Sequence, residues 1–163
     1  MATPTSLPAS QTTGNVLTAA YMNDLRGAFR ILQVVNAGYA VSTSNATTTF
    51  AATGLSASIT PQATSSKILV LLNVAGAGRT AGNGSNQIEL RRGSTQLATQ
   101  NCAYTNTTTI NLIGSASIIY LDSPSTTSST TYDARFRGDA AGVTAIVQDG
   151  SSYSSITLLE VSA

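Results

Sequence analysis

The side chains that most often carry out enzyme chemistry are scarce in this sequence. The chain of 163 residues has no histidine, one cysteine (Cys102) and one lysine (Lys67). Without histidine there is no Ser-His-Asp or Cys-His machinery, no imidazole base near neutral pH and no histidine metal ligand. One cysteine can form neither an internal disulfide nor a thiolate zinc site. The composition therefore predicts a protein with no catalytic site, no metal site and no cofactor.

One glycine-rich segment has the composition of a phosphate-binding turn. Residues 76–84 contain four glycines and follow an apolar run that is suited to a strand. A dinucleotide-binding turn needs a helix directly after it, because the helix N-terminus holds the phosphate. Residues 86–90 alternate between polar and apolar positions, which is typical of a strand instead. We therefore expect a flexible loop between two strands and no nucleotide site.

The carboxylates of the second part of the chain are scattered rather than paired. They are Glu89, Asp122, Asp133, Asp139, Asp149 and Glu160. A glycosidase needs two carboxylates across a cleft, and no spacing here indicates such a pair. The loops at Asp139 and Asp149 also lack the spacing of a calcium-binding loop. Hydrolase activity and a calcium site are therefore not expected.

Three tyrosines are candidates for contacts with another molecule. Tyr104, Tyr132 and Tyr153 lie near predicted loops or strand ends. Tyrosine offers a flat contact area at a low cost in conformational entropy, so an exposed ring at such a place can stack on a sugar or on a protein partner. The alternative is that these rings pack in the core or in an interface. We single them out as possible surface-binding residues.

The charge balance excludes several classes of partner. Eight basic and seven acidic residues give a net charge of +1, and charged residues make up 9% of the chain, against roughly 25% in a typical soluble domain. Such a chain has no strong positive electrostatic potential for binding phosphates, so nucleic acid is not an expected partner. The longest apolar run, residues 68–72, is far too short to insert in a membrane. Well-covered sheets, or burial in a larger assembly, must then prevent aggregation.

The N-terminal part divides into two predicted segments. Residues 1–16 are rich in Ser, Thr and Pro, which predicts an extended arm. Residues 17–32 show a helical pattern, with apolar side chains spaced by 3, 4 and 3 residues. These side chains are Met22, Leu25, Phe29 and Leu32. A helix this short needs a surface to lie against, either its own β-domain or symmetry-related copies, and we take the four residues as a candidate oligomer interface.

From residue 33 to residue 163 the apolar pattern has a period of two. Short runs such as Leu55, Ala57 and Ile59 alternate with polar residues, and turn signals such as Gly93-Ser94 separate the runs. The exception is the continuous apolar run at residues 68–72, which predicts a central strand covered on both faces. About nine or ten strands at regular spacing predict a mainly β fold: an antiparallel β-sandwich or jelly roll behind the arm and the short helix.

An ordered set of phrases carries a family resemblance over about residues 31–163. The phrases LQVV, TGLSASITP, SSKILVLLNV, LRRGSTQLA, YLDSP and SSITLLEV occur in that order. In this order they resemble the C-terminal β-domain of tail-fibre-like proteins of tailed bacteriophages, of the cyanophage type. The resemblance implies a non-enzymatic virion protein on the tail or capsid exterior, commonly a homotrimer. Its arm and helix would attach to other virion proteins.

The resemblance leads to two predictions of function. The first is a short tail fibre or fibre-tip component for attachment to the host surface, with a surface glycan as the candidate ligand. The chain has no long shaft, which leaves open a second prediction. In that alternative the protein decorates and reinforces a capsid as a cement protein, or is a small baseplate or tail component, with no receptor role.

Overall fold

A computed structural model of the chain describes residues 18–19, 31–106 and 112–162. These residues form ten β-strands and one 3-10 turn at Asp149–Ser151. The strands are Ile31–Tyr39 (β1), Thr43–Asn45 (β2), Ala51–Ile59 (β3), Lys67–Ala81 (β4), Gly84–Arg92 (β5), Thr95–Thr105 (β6), Leu112–Asp122 (β7), Thr130–Gly138 (β8), Thr144–Val147 (β9) and Ser154–Val161 (β10).

The strands form two antiparallel sheets. In sheet A, β4 pairs with β10 along one edge and with β7 along the other, and β1 pairs with β10. The short strand β9 pairs with the end of β4, and β2 pairs with β9. Sheet B has the order β3-β8-β5-β6. Two sheets with the strand orders β1-β10-β4-β7 and β3-β8-β5-β6 are the arrangement of a jelly roll, which confirms the predicted fold class.

The core lies between the two sheets and follows from the alternation along each strand. In β4, Ile68 and Val70 are fully buried, and Ile88 of β5 and Phe136 of β8 meet them from sheet B. Successive side chains of a strand point to opposite faces, so every second residue enters this core. Removing that apolar area from water is the main force that holds the sheets together.

The N-terminal predictions lie mostly outside the described residues. The arm at residues 1–16 and most of the predicted helix at residues 17–32 belong to the part that the structure does not describe. At the C-terminal end of the predicted helix the structure differs, because Ile31 and Leu32 are the first residues of β1. The β-sandwich therefore begins two residues before the predicted boundary at residue 33. Backbone pairing of Ile31 with Val161 of β10 accounts for this early start.

The predicted loop at residues 76–84 is wrong. Strand β4 continues to Ala81 because β7 and β9 both pair with its second half. Gly76, with φ of +56°, lies at a register shift opposite β7, so this glycine allows a bulge rather than a loop. The turn itself is short and lies at Gly82 and Asn83, between β4 and β5.

No helix among the described residues is long and apolar enough to cross a membrane.

Candidate assembly surface

The outer face of sheet A is apolar, and much of it is open to solvent. In β4 the core-facing residues Ile68, Val70 and Leu72 are buried, whereas Leu71 points outward and is 38% exposed. Leu69, also on the outward side, is half-buried. The prediction that this strand is covered on both faces is therefore wrong for the single chain. The continuous apolar run arises because both faces of β4 carry leucine, isoleucine or valine.

The strand register places the outward apolar residues in rows across sheet A. One row consists of Val34, Leu159, Leu69 and Leu121, on β1, β10, β4 and β7. The next row consists of Asn36, Thr157, Leu71 and Ile119 on the same strands. The six apolar members of these rows form the surface that we name the sheet A patch: Val34, Leu69, Leu71, Ile119, Leu121 and Leu159.

Exposure within the sheet A patch is highest on its two edge strands. Ile119 is 73% exposed, and Leu121 and Val34 are each 58% exposed. Single exposed apolar side chains are ordinary on protein surfaces, but a contiguous set marks an interaction site. Contiguity here follows from cross-strand pairing, since residues opposite one another on adjacent strands lie about 5 Å apart.

Polar residues border the sheet A patch at both ends of the strands. At one end Asn36 Nδ2 donates to Thr157 Oγ1 at 2.8 Å, and Ser117 Oγ donates to Asn73 Oδ1 at 3.0 Å. At the other end Lys67 Nζ donates to Ser123 Oγ at 2.8 Å. An apolar centre with a polar border is the usual anatomy of a protein–protein interface.

The predicted oligomer interface is only partly covered by the structure. Met22, Leu25 and Phe29 lie outside the described residues. Leu32 is half-buried in β1 and is therefore on a strand, not on a helix with the other three. The helical spacing of 3, 4 and 3 does not extend to Leu32, because the backbone pairing with β10 begins at Ile31.

The three tyrosines have different surroundings. Tyr104 is 71% exposed beside a shallow cleft between β6 and β7, which Leu112 and Ile113 also line. Tyr153 is 64% exposed, and its ring packs against Gly38. Tyr132 is completely buried, so the prediction that it contacts another molecule is wrong. The sequence indicates that Tyr132 lies near a strand end, but it does not show that the opposite sheet covers that end of β8.

Tyr132 belongs to a polar cluster that joins the two sheets. Its hydroxyl donates to Asp122 Oδ2 at 2.6 Å, and Arg92 Nη1 donates to both carboxylate oxygens at 2.8 and 2.7 Å. Arg92 and Tyr132 come from sheet B, whereas Asp122 ends β7 in sheet A. Burial, together with the hydrogen bond to Asp122, raises the pKa of the Tyr132 phenol well above its usual value. The cluster holds the ends of the sheets in register and leaves no reactive group at the surface.

The outer face of sheet B is charged, in contrast to that of sheet A. Cross-strand pairing places Glu89 of β5 opposite Arg135 of β8, and Arg91 opposite Asp133. Arg135 Nε lies 2.8 Å from Asp133 Oδ2, and Arg91 Nε lies 3.6 Å from Glu89 Oε2. Arg137 continues this row and stacks on the Phe50 ring. This face carries alternating charges.

Glu89 is buried although it points outward. It is 2% exposed, because the longer arginine side chains beside it cover its carboxylate. Burial raises the pKa of the Glu89 carboxyl above its ordinary value, and the charges of Arg91 and Arg135 partly oppose that shift. The result is a surface network held by charge, in which the Glu89 carboxylate is largely removed from water.

Two further buried charged residues were not singled out by the sequence. Glu160 of β10 is fully buried, and its carboxylate accepts hydrogen bonds from Gln33 Nε2 at 2.6 Å and from the Gln62 backbone N–H at 2.7 Å. Arg79 of β4 is also fully buried. Both positions look like ordinary polar members of an alternating strand, so only the register shows that they face the core.

Within the part of the chain that the structure describes, no group of three or more Asp, Glu and Cys side chains is placed to hold a metal ion. The single thiol, Cys102, is half-buried in β6, and burial raises its pKa to about 11.

Comparisons with known proteins give likenesses to solved structures and no family. No protein-family model and no curated protein matches the chain. A solved structure from the work "Bacillus endospore appendages form a novel family of disulfide-linked pili" matches with 18% sequence identity and a TM-score of 0.33. The match covers 77% of this chain and 88% of that one. At this identity and TM-score, the partners and role of that chain do not transfer to this one.

The comparisons contradict the assignment to bacteriophage tail fibres. The matching solved structure reported above comes from work on bacterial spore appendages and not on a phage. The predicted tail-fibre or cement function, the virion partners and the virion location are corrected accordingly. The phrases that carried the resemblance, such as TGLSASITP in β3 and SSITLLEV in β10, are alternating strand sequences. A pattern of this kind describes a half-buried strand and does not distinguish one β-sandwich family from another.

Proposed function

We propose that this protein is a non-catalytic structural subunit that associates with further protein copies through the sheet A patch. The observation that carries the proposal is the exposed apolar surface on four adjacent strands of sheet A, which includes Leu71 and Ile119. In a chain with few charges, an exposed apolar surface of this kind promotes aggregation unless another protein covers it.

The chemistry of the patch favours a binding role over a catalytic one. Its six members are aliphatic, and the polar groups at its border are amides, hydroxyls and Lys67. Aliphatic side chains can exclude water and fit another surface, but they transfer no protons and attack no bonds. Burial of apolar area would then supply the affinity.

A trimer remains a separate prediction. It rests on the spacing of Met22, Leu25 and Phe29, which lie outside the described residues. Association through the sheet A patch does not depend on it, since the patch is formed by residues of β1, β4, β7 and β10 alone.

Sedimentation velocity over a range of protein concentrations tests the proposal. We expect the wild-type protein to associate at micromolar concentration. Ile119→Asp should weaken association by at least about 100-fold, because a carboxylate would have to lose its hydration in an apolar contact. Ser58→Asp is the matched control, since Ser58 is exposed on the outer face of sheet B and should leave association unchanged.

A wild-type protein that stays monomeric at these concentrations would refute the proposal. So would an Ile119→Asp variant that associates as tightly as the Ser58→Asp control. Circular dichroism and urea unfolding of both variants check that the sandwich stays folded. This is expected because both positions point away from the core.

A further inference from the structure

We propose that the partner on the sheet A patch is a second copy of this chain, placed back to back so that sheet A meets sheet A. The inference rests on the proposed function and specifies the partner. The four layers of the resulting dimer would follow the order sheet B, sheet A, sheet A, sheet B.

The outer face of sheet B is charged and that of sheet A is apolar, and this difference favours a second sheet A as the partner. The outer face of sheet B presents Glu89, Arg91, Asp133, Arg135 and Arg137. Placing those charges on the sheet A patch would remove them from water without any charged group opposite. An apolar surface is best matched by an apolar surface, and among the outer sheet faces that the structure describes only that of sheet A is apolar. A contact of one face with its own copy is isologous and closes as a two-fold dimer.

Lys67 sets the direction of the two-fold axis. It is the one charged residue among the outward positions of β1, β10, β4 and β7 within the described chain. An axis parallel to the strands, midway between β10 and β4, would leave Lys67 only about one strand spacing, roughly 5 Å, to the side of the Lys67 of the second copy. An axis across the strands, passing between the two rows of the patch, instead places Lys67 opposite the polar border formed by Asn73 and Ser117. We assign the axis to the second direction, which avoids two like charges in contact.

The size of the patch fits the centre of a stable dimer. Four strands spaced by about 4.8 Å and the two rows of the patch, spaced by about 6.8 Å, cover about 260 Å² on one copy. Two copies then bury about 520 Å², of which about 400 Å² is apolar because six of the eight positions are apolar. Addition of one bordering row at each end doubles the total to about 1,000 Å², the lower limit for a specific interface.

Distances between spin labels distinguish a back-to-back dimer from a head-to-tail stack. In a Cys102→Ser background, one variant carries Ser117→Cys, at the border of the patch. The matched control carries Ser56→Cys, an exposed serine on the outer face of sheet B. Sheets stack about 10 Å apart, so two Ser56 labels in a back-to-back dimer lie at least about 30 Å apart, across three sheet spacings. Two Ser117 labels lie across one spacing, offset by about 20 Å within the sheet plane, and are therefore about 20–25 Å apart.

The label distances and the sedimentation state together distinguish the arrangements. A shorter distance for Ser117 than for Ser56, in a protein that sediments as a dimer, supports the inference. Association with similar distances at both positions, about two sheet spacings, overturns the back-to-back arrangement and leaves the proposed function standing. A monomer overturns both, including the case in which residues 1–30 of the same chain cover the patch and immobilise the Ser117 label.

Discussion

Asp122→Ala should destabilise the fold by disrupting the polar cluster that joins the two sheets. The substitution removes a carboxylate that is 6% exposed and that accepts three hydrogen bonds, two from Arg92 and one from Tyr132. The Tyr132 hydroxyl would be left buried without this partner, at a cost of about 1–3 kcal/mol. Removal of one member of a buried ion pair costs about 3–5 kcal/mol. The Arg92 side chain is 27% exposed and can turn toward water, so we expect a total of about 2–4 kcal/mol.

A double-mutant cycle tests the reasoning behind this figure. Tyr132→Phe alone should cost about 1–2 kcal/mol, because it removes one hydrogen bond to a charged group and leaves Asp122 paired with Arg92. In the double variant no hydroxyl is left without its partner, so the combined loss should be smaller than the sum by about 1 kcal/mol or more. Urea unfolding in an Ile119→Asp background, where association does not add to stability, measures all four free energies. A loss below about 0.5 kcal/mol for Asp122→Ala, or strict additivity, would refute the role given to the cluster.

Three further outcomes are expected. Burial raises the pKa of Glu89 above its ordinary value of 4.5, so the folded chain retains that proton longer than the unfolded chain, and stability should fall as pH rises above about 4.5. Glu89→Gln should flatten this dependence in urea unfolding between about pH 4 and 7, and an unchanged slope would contradict it. With its pKa near 11, Cys102 should react with iodoacetamide on the order of 100-fold more slowly than free cysteine at about pH 8; equal rates would disprove its burial. Gly54→Ala should lower the free energy of unfolding by about 2–4 kcal/mol and Gly142→Ala by about 1 kcal/mol. Both glycines have positive φ, but of the two only Gly54 lies against the Tyr39 ring. Equal losses of stability in thermal unfolding would contradict this.

Much of the fold could be predicted from alternation along the chain. Most strands of the sandwich contain a segment that alternates or is continuously apolar, and turns such as Gly93-Ser94 fall where their composition predicts them. The glycine-rich end of β4 is different. Glycine indicates freedom of the backbone, but the sequence does not show that β7 and β9 pair with this segment and make it a strand.

The candidate surface could not be predicted because it depends on register. The runs at residues 68–72 and 118–121 are apolar at successive positions, which is the signal of a strand with two apolar faces. Whether the second face is covered by the same chain or left open depends on which strands are neighbours. Tyr132 and Glu160 illustrate the same point, since only the packing of the second sheet and the register of β10 show that both are buried.

The heat capacity change of association is the most direct test of the claim that an apolar face holds the copies together. Burial of about 400 Å² of apolar surface, at about 0.45 cal/mol/K per Å², predicts a change of about −0.2 kcal/mol/K. Dilution calorimetry of the associated protein at several temperatures measures this quantity. We predict that value together with an affinity that changes little with salt, because the patch itself carries no charge. A heat capacity change near zero, or dissociation by moderate salt, would contradict the account.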